Sequence, residues 1–300
     1  MSYSNDLCTE ISKLNPMQED FILRNLSKLN SSEIKEFNLY IKFCLEHDLT
    51  LNDLAQSYNL IIKDTLKEQV YFMRHGSYRH STYADVSKHV YLNSEYMSNY
   101  MHGLALTAYL WDIHMQIHRF FVKFLNSRKT SGGKYLEIGP GHGFYFMKAL
   151  QLNVFDEHLG VDISPTSVEL TRRILNSKHF GPFSNYKIEQ LDFLKWNSLT
   201  HFETIVMAEV LEHVERPQEF LNRIYSFMSE NAQAFITTCI NAPAVDHIYL
   251  YSNLESLENQ INESGFIILK KEVIPYSDKT IEESFSQNLP VNVAFVLEKK

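Results

Sequence analysis

Three of the chain's ten glycines fall within five positions in the stretch EIGPGHG, residues 137–143. Glycine lets a backbone approach a ligand closely and adopt positive φ. The apolar run before the glycines carries Glu137, so the segment reads as a strand, a tight turn and then a helix. Nineteen residues beyond Gly143, Asp162 stands in GVDIS, where a carboxylate can accept both hydroxyls of a ribose. A dinucleotide site would want G-x-G-x-x-G with a helix N-terminus facing a pyrophosphate. Here the run is G-P-G-H-G, and an acid at Glu137 would repel a pyrophosphate but suit a ligand bearing an ammonium group. Asp162, and Asp192 in QLDFL, could instead cap helices. Three carboxylates at three successive strand ends favour a ligand.

A second set of reactive side chains lies in MAEVLEHVERP, residues 207–217. If a helical turn begins there, Glu209, Glu212 and His213 stand at i, i+3 and i+4 on one face. That face has two readings. It could hold a divalent ion such as Mg²⁺ or Mn²⁺, with His247 completing a set of Glu209, Glu212, His213 and His247, and acidify a substrate hydroxyl. It could equally orient a loop beneath a ligand. Further on, in TTCINAPAVDHIYLY, Asp246 and His247 could form a carboxylate–imidazole pair with His247 as general base, or His247 could lie in a polar surface loop. His213, His247 and Glu212 are thus the candidate catalytic residues.

Two segments with different periodicities must position these groups. Residues 1–130 carry helical signals. NPMQEDFILRNLSKL opens with Pro16 just inside a helix start, and SSEIKEFNLYIKFCLEHD spaces Ile34, Phe37, Tyr40, Ile41 and Cys44 along one apolar face. SNYMHGLALTAYLWDIHMQIHRFFVKFL reads as one long helix, and RHGSYRHSTYADVSKH, residues 74–89, as a loop. From residue 131 onward, short β-branched runs alternate with helical segments. KYLEIG, HLGVDI, YKIEQLDF, ETIVMAEV and QAFITTCI are strands, with helices expected near 143–151, 165–178, 217–229 and 254–264. FIILKKEVI and VNVAFVLEK follow without a helix-length spacer. The alternation predicts right-handed crossovers and an α/β, Rossmann-like, seven-stranded and mostly parallel sheet with an antiparallel last pair. The N-terminal, all-helical segment (1–130) is expected to act as a cap or lid on the sheet domain (131–300).

The stretch EIGPGHG, with GVDIS, QLDFL and MAEVLEHVERP, resembles the class I S-adenosylmethionine (SAM)-dependent methyltransferases, whose first motif is E/D-x-G-x-G-x-G. The resemblance covers roughly residues 130–300 and leaves the helical segment outside. It implies that Gly139, Gly141 and Gly143 cradle the methionyl part, Glu137 holds its amino group, and Asp162 binds the ribose. Ile163 would lie against adenine, with Asp192 and Phe193 meeting its edge, and Glu209 and Tyr100 would complete the cofactor shell. The E-x-x-E-H pattern is similar to that of small-RNA 2′-O-methyltransferases and ubiquinone-pathway O-methyltransferases, where it is linked to metal binding. Tyr96, Tyr100 and His102 could reach the cofactor or the substrate, or serve as packing residues. Tyr78, Arg79, His80 and Tyr83 could form a polar substrate wall.

The expected reaction is methyl transfer from SAM to an O or N atom of a small metabolite, such as a secondary-metabolite intermediate. An RNA 2′-O-methyltransferase-like enzyme and a non-catalytic SAM-fold binding protein are the alternatives. Twenty-eight basic against 36 acidic residues leave a net charge of −8, which argues against a nucleic-acid partner. No apolar run approaches a membrane span. The polar start MSYSNDLCTE and three scattered cysteines suit a cytoplasmic protein, and a homodimer is compatible with these features.

Overall fold

Helix starts in the first half follow capping chemistry. Asn30 and Thr50 each close a capping box, with Glu33 and Asp53 answering back to the cap N–H. A computed structural model describes residues 2–128 and 132–300. Its N-terminal helices are α1 (Tyr3–Leu14), α2 (Glu19–Leu26), α3 (Ser31–Leu45), α4 (Leu51–His75), α5 (Tyr83–Ser87), α6 (Ser94–Leu110) and α7 (Asp112–Asn126). There follow β1 (Lys134–Ile138), α8 (Phe144–Leu152), β2 (Glu157–Asp162), α9 (Pro165–Leu175), β3 (Tyr186–Gln190) and β4 (Phe202–Ala208). The chain ends with α10 (Pro217–Phe227), β5 (Met228–Ile240), α11 (Leu254–Glu263), β6 (Phe266–Ile274), α12 (Ile281–Ser286) and β7 (Val291–Lys299). The expected boundary between residues 130 and 131 lies outside the described residues.

The seven strands run in the order β3-β2-β1-β4-β5-β7-β6. Neighbours are parallel as far as β5, and β7 is antiparallel to both β5 and β6. The strand order reverses between β1 and β4, which opens a crevice at their carboxyl ends. Strand alternation sends side chains to two separate cores. Leu136, Ile138, Ile205 and Met207 pack with Leu221 of α10 and Leu257 of α11 on one face. Tyr135, Val206 and Phe235 pack on the other with α7, α8 and the N-terminal helices, in one continuous apolar cluster that reaches Leu7 of α1. Phe124 stacks on Phe235 with ring centroids 5.5 Å apart. No helix among the described residues is long and apolar enough to cross a membrane.

Two local expectations change. The long helix over residues 98–125 is broken at Trp111, whose backbone is extended (φ −116°, ψ 117°) and separates α6 from α7. No glycine or proline marks the break. A tertiary contact accompanies it: the Trp111 indole N–H donates to the Tyr58 hydroxyl on α4 at 3.2 Å. The loop over 74–89 contains the single-turn helix α5, capped by the Thr82 side chain.

α4 and α6 cross at Gly103, where an added Cβ would sit 2.5 Å from both the Ser57 carbonyl oxygen and Ile61 Cγ1. Gly103→Ala is therefore expected to lower the unfolding free energy by about 1–3 kcal/mol through overpacking. Denaturant titration checks this, and an unchanged midpoint would refute the close approach.

Candidate functional site

The turn after β1 has left-handed backbone at Gly139 (φ 70°) and Gly141 (φ 55°). A Cβ on Gly139 would lie 2.8 Å from Val210 Cγ2, so any larger residue would collide with the loop after β4. The turn is held by Asp162 at the end of β2, which is 8% exposed. One carboxylate oxygen accepts from Gly141 N–H (3.2 Å) and the other from Ser164 N–H (2.9 Å). Burial pushes Asp162 up to about 6, and the backbone donors pull against it. Glu137 is 2% exposed and accepts from the Tyr135 hydroxyl. Burial pushes it up to about 8, against the lowering effect of that hydroxyl.

A cavity of about 1260 Å³ runs along the carboxyl ends of the strands beneath the N-terminal helices. Gly139, Gly141, Glu137, Asp162, Ile163, Asp192 and Phe193 all line it, as do Glu209, Glu212, His213, His247 and Tyr100. Ile163 is 40% exposed there, as an apolar platform must be to meet a ligand. Asp192 accepts from Leu194 N–H at 3.1 Å and pairs with Lys195 at 2.8 Å, a local cap that still leaves it on the cavity wall.

The stretch after β4 does not make the α-helical face expected for Glu209, Glu212 and His213. Glu209 adopts left-handed backbone (φ 52°), and only Leu211–His213 form a 3-10 turn. The four expected metal ligands consequently fall into two groups that share Glu212. Donor atoms of Glu212, His213 and His247 lie within 4.8 Å of one another, as do those of Glu209, Glu212 and Cys239. Glu209 instead faces β5 and β7, accepting from Thr237 Oγ1 at 2.6 Å and from Asn292 Nδ2 at 3.4 Å. Glu212 is fully buried. One of its oxygens accepts from Thr238 Oγ1 at 2.7 Å, while Oε1 has no hydrogen-bond partner among the described residues. Burial, then the neighbouring Glu209, raises Glu212 well above the usual carboxylate range, and burial also raises Glu209.

The expected Asp246–His247 pair does not form. His247 Nδ1 donates to the Ala242 carbonyl at 2.5 Å, and burial lowers His247 to about 3. Asp246 pairs with His213 instead, Oδ2 lying 3.3 Å from Nδ1. The two imidazoles meet edge to face with centroids 4.7 Å apart.

A family model described as Methyltransferase domain matches residues 112–271, more than half of the chain. The chain belongs to this methyltransferase family. The match starts at the first residue of α7 and stops within β6. Two curated relatives are similar over a shorter stretch. The ubiquinone biosynthesis O-methyltransferase of Xanthomonas euvesicatoria pv. vesicatoria (strain 85-10) is 23% identical over 124 residues, 41% of this chain and 50% of that protein. The mitochondrial ubiquinone biosynthesis O-methyltransferase of Schizosaccharomyces pombe (strain 972) is 29% identical over 151 residues, 47% of this chain and 53% of that protein. The chain thus spans about half the length of the curated relatives it matches. The cyclopropane synthase MmaA2 from Mycobacterium tuberculosis shares the fold, with a TM-score of 0.50 at 12% identity over 63% of this chain and 85% of that one. The chain therefore carries a methyltransferase domain on a class I sheet, and SAM is the ligand expected for such a domain. The glycine turn, the Asp162 carboxylate and the buried Glu137 fit that ligand, since they offer a close backbone approach, a ribose acceptor and an ammonium partner.

Other residues of the methyltransferase take roles the sequence did not separate. Tyr100 lines the cavity, but its hydroxyl donates to Asp246 Oδ1 at 3.0 Å. Tyr96 donates to Asp64, and His102 is buried against Tyr40 within the N-terminal helices. Arg79 is bound to Glu68, and the Tyr78 hydroxyl accepts from Ala242 N–H at 3.1 Å. Tyr91, Thr237 and Thr238 contact the reactive cluster but carry no motif that would single them out.

Two outcomes are expected. Asp162→Ala should weaken SAM binding by about 10-fold or more, because a charged acceptor for ribose and for Gly141 is lost together. Calorimetry measures this, and unchanged affinity would place the ribose elsewhere. Because burial raises Glu137 and it must ionise to pair with an ammonium, SAM binding should release a proton at about pH 7. The observed binding enthalpy should then vary with the buffer's ionisation enthalpy at that pH, and Glu137→Gln should abolish the dependence.

Proposed function

We propose that this methyltransferase transfers the SAM methyl group to an oxygen or nitrogen atom of a small metabolite, and that a hydroxyl is the acceptor its site suits best. The observation that carries this reading is the convergence of Glu212, His213 and His247 on one corner of the cavity, with donor atoms within 4.8 Å of one another. Each imidazole has its proton assigned by its neighbours. His247 Nδ1 faces a carbonyl, and His213 Nδ1 faces Asp246, so both carry hydrogen at Nδ1 and present lone pairs at Nε2. His213 Nε2 stands 3.9 Å from Glu212 Oε1.

Bound SAM supplies an electrophilic methyl on a positive sulfonium. The chain has to align the nucleophile with it and exclude water. Glu137 and the glycine turn fix the methionyl end, and Asp162 with Ile163 fixes the adenosine end. The acceptor hydroxyl sits against His213 Nε2, which takes its proton as general base. The helices before residue 130 form the cap over the acceptor. Their aromatic and apolar lining, with Met97, Tyr100, Met101 and Leu104 at the cavity wall, supports an enclosed small molecule over an extended polymer.

The same three lone pairs also fit a divalent cation. Two carboxylates, the half-buried Glu209 and the buried Glu212, stand close together, and a cation would relieve their repulsion. Glu212, His213 and His247 would hold it, and it would lower the pKa of a bound hydroxyl.

Isotopically labelled SAM offered with a panel of small hydroxyl and amine compounds tests the reading. His213→Ala should lower the rate of transfer to a hydroxyl by about 10²-fold or more while SAM affinity stays within a few-fold. Full activity of that variant would remove His213 from the acceptor site. Chelator treatment should abolish turnover if a cation is held there, and unchanged turnover in chelator leaves the imidazole as base.

A further inference from the structure

Asp246 is 2% exposed and gathers three donors from separate parts of the chain. Tyr91, in the segment between α5 and α6, donates to Oδ2 at 3.1 Å. Tyr100, on α6, donates to Oδ1 at 3.0 Å. His213, after β4, lies with Nδ1 3.3 Å from Oδ2 and 3.1 Å from the Asp246 backbone carbonyl oxygen. The Tyr91 hydroxyl oxygen is also 3.1 Å from His213 Nδ1, and its single proton is already engaged with Asp246. Every oxygen facing Nδ1 is therefore an acceptor, and Nδ1 must hold the hydrogen. Both tyrosines belong to the N-terminal helical segment, while Asp246 and His213 belong to the loops at the carboxyl end of the sheet.

We propose that Tyr91, Tyr100 and Asp246 are positioning residues: a latch through which the seated cap fixes His213 in the Nδ1–H tautomer, with its Nε2 lone pair aimed at the acceptor. This rests on the placing of His213 at the acceptor under the proposed function. With the cap displaced, Asp246 loses two of its three donors and Nδ1 loses one of its acceptors. The Asp246 carboxylate, no longer held by the tyrosines, can then turn away from Nδ1, and the imidazole can populate both tautomers. Two further ties join the same parts, Tyr83 N–H to Glu215 at 2.8 Å and Tyr78 Oη with Ala242 N–H at 3.1 Å, so the cap engages the reactive loops at several points.

The test is ¹⁵N-imidazole NMR of the full-length protein, saturated with S-adenosylhomocysteine in the presence of a chelator, with the His213 signals assigned by their loss in His213→Ala. The wild type should show His213 as the Nδ1–H form. Asp246→Asn presents a donor amide to Nδ1 and should shift His213 toward the Nε2–H form. Asp246→Asn should also lower methyl transfer by about 10²-fold or more, as expected when a general base sits in the wrong tautomer. Tyr91→Phe with Tyr100→Phe should leave a mixture of tautomers and speed amide exchange in α6 without altering β1 or β4. His213 found as Nε2–H in the wild type, or unmoved in both variants, overturns the latch. If Asp246→Asn fails to fold, the double tyrosine variant carries the same decision. Full transfer by His213→Ala overturns the assignment of the acceptor site instead, because the tautomer measurement does not depend on turnover.

Discussion

The hydrogen bond from Gly141 N–H to the Asp162 carboxylate ties the first turn of the sheet to the end of its second strand, and the site depends on that tie. It spans β1 and β2 beside the switch point, where the strand order opens a crevice. Because Asp162 is buried, its charge is costly unless backbone donors meet it. Gly141 and Ser164 supply two of them and leave the outward side for a ligand. The turn can take this path because Gly139 comes too close to Val210 for any side chain and both glycines need positive φ. The cradle and the loop carrying Glu209, Glu212 and His213 are thus packed directly against each other.

Across the crevice the polar groups divide by charge logic. Around the glycine turn, the carboxyls of Glu137 and Asp162 are buried, and burial raises both. Around the turn after β4, two acids and two imidazoles crowd together, and one carboxylate oxygen of Glu212 has no partner among the described residues. Such a buried acceptor is costly to leave empty-handed. It is therefore the part of the pocket with most to gain from a proton-bearing or cationic guest.

The sheet, its parallel sense and its antiparallel last pair were legible because β-branched runs separated by helical stretches leave few alternatives, and the glycine turn after β1 because its glycines follow a short apolar run. The acceptor side was only half legible. E-x-x-E-H announces reactive groups, but the register after β4 depends on the left-handed turn at Glu209, a conformation that an acidic residue rarely adopts. Pairing of Asp246 with His213 rather than with its own neighbour His247 is a contact across 33 positions, and no local spacing encodes it. The break at Trp111 was hidden for the same reason, since its indole answers to Tyr58 on another helix.

The apolar cluster that begins at Leu7 and passes through Phe121 to Phe235 has no seam between the leading helices and the sheet. A chain cut just ahead of β1 would bare the part of that face that α7 covers, Phe235 included, to water. The leading helices and the sheet therefore melt as one body, and loosening either side of that shared core loosens the other.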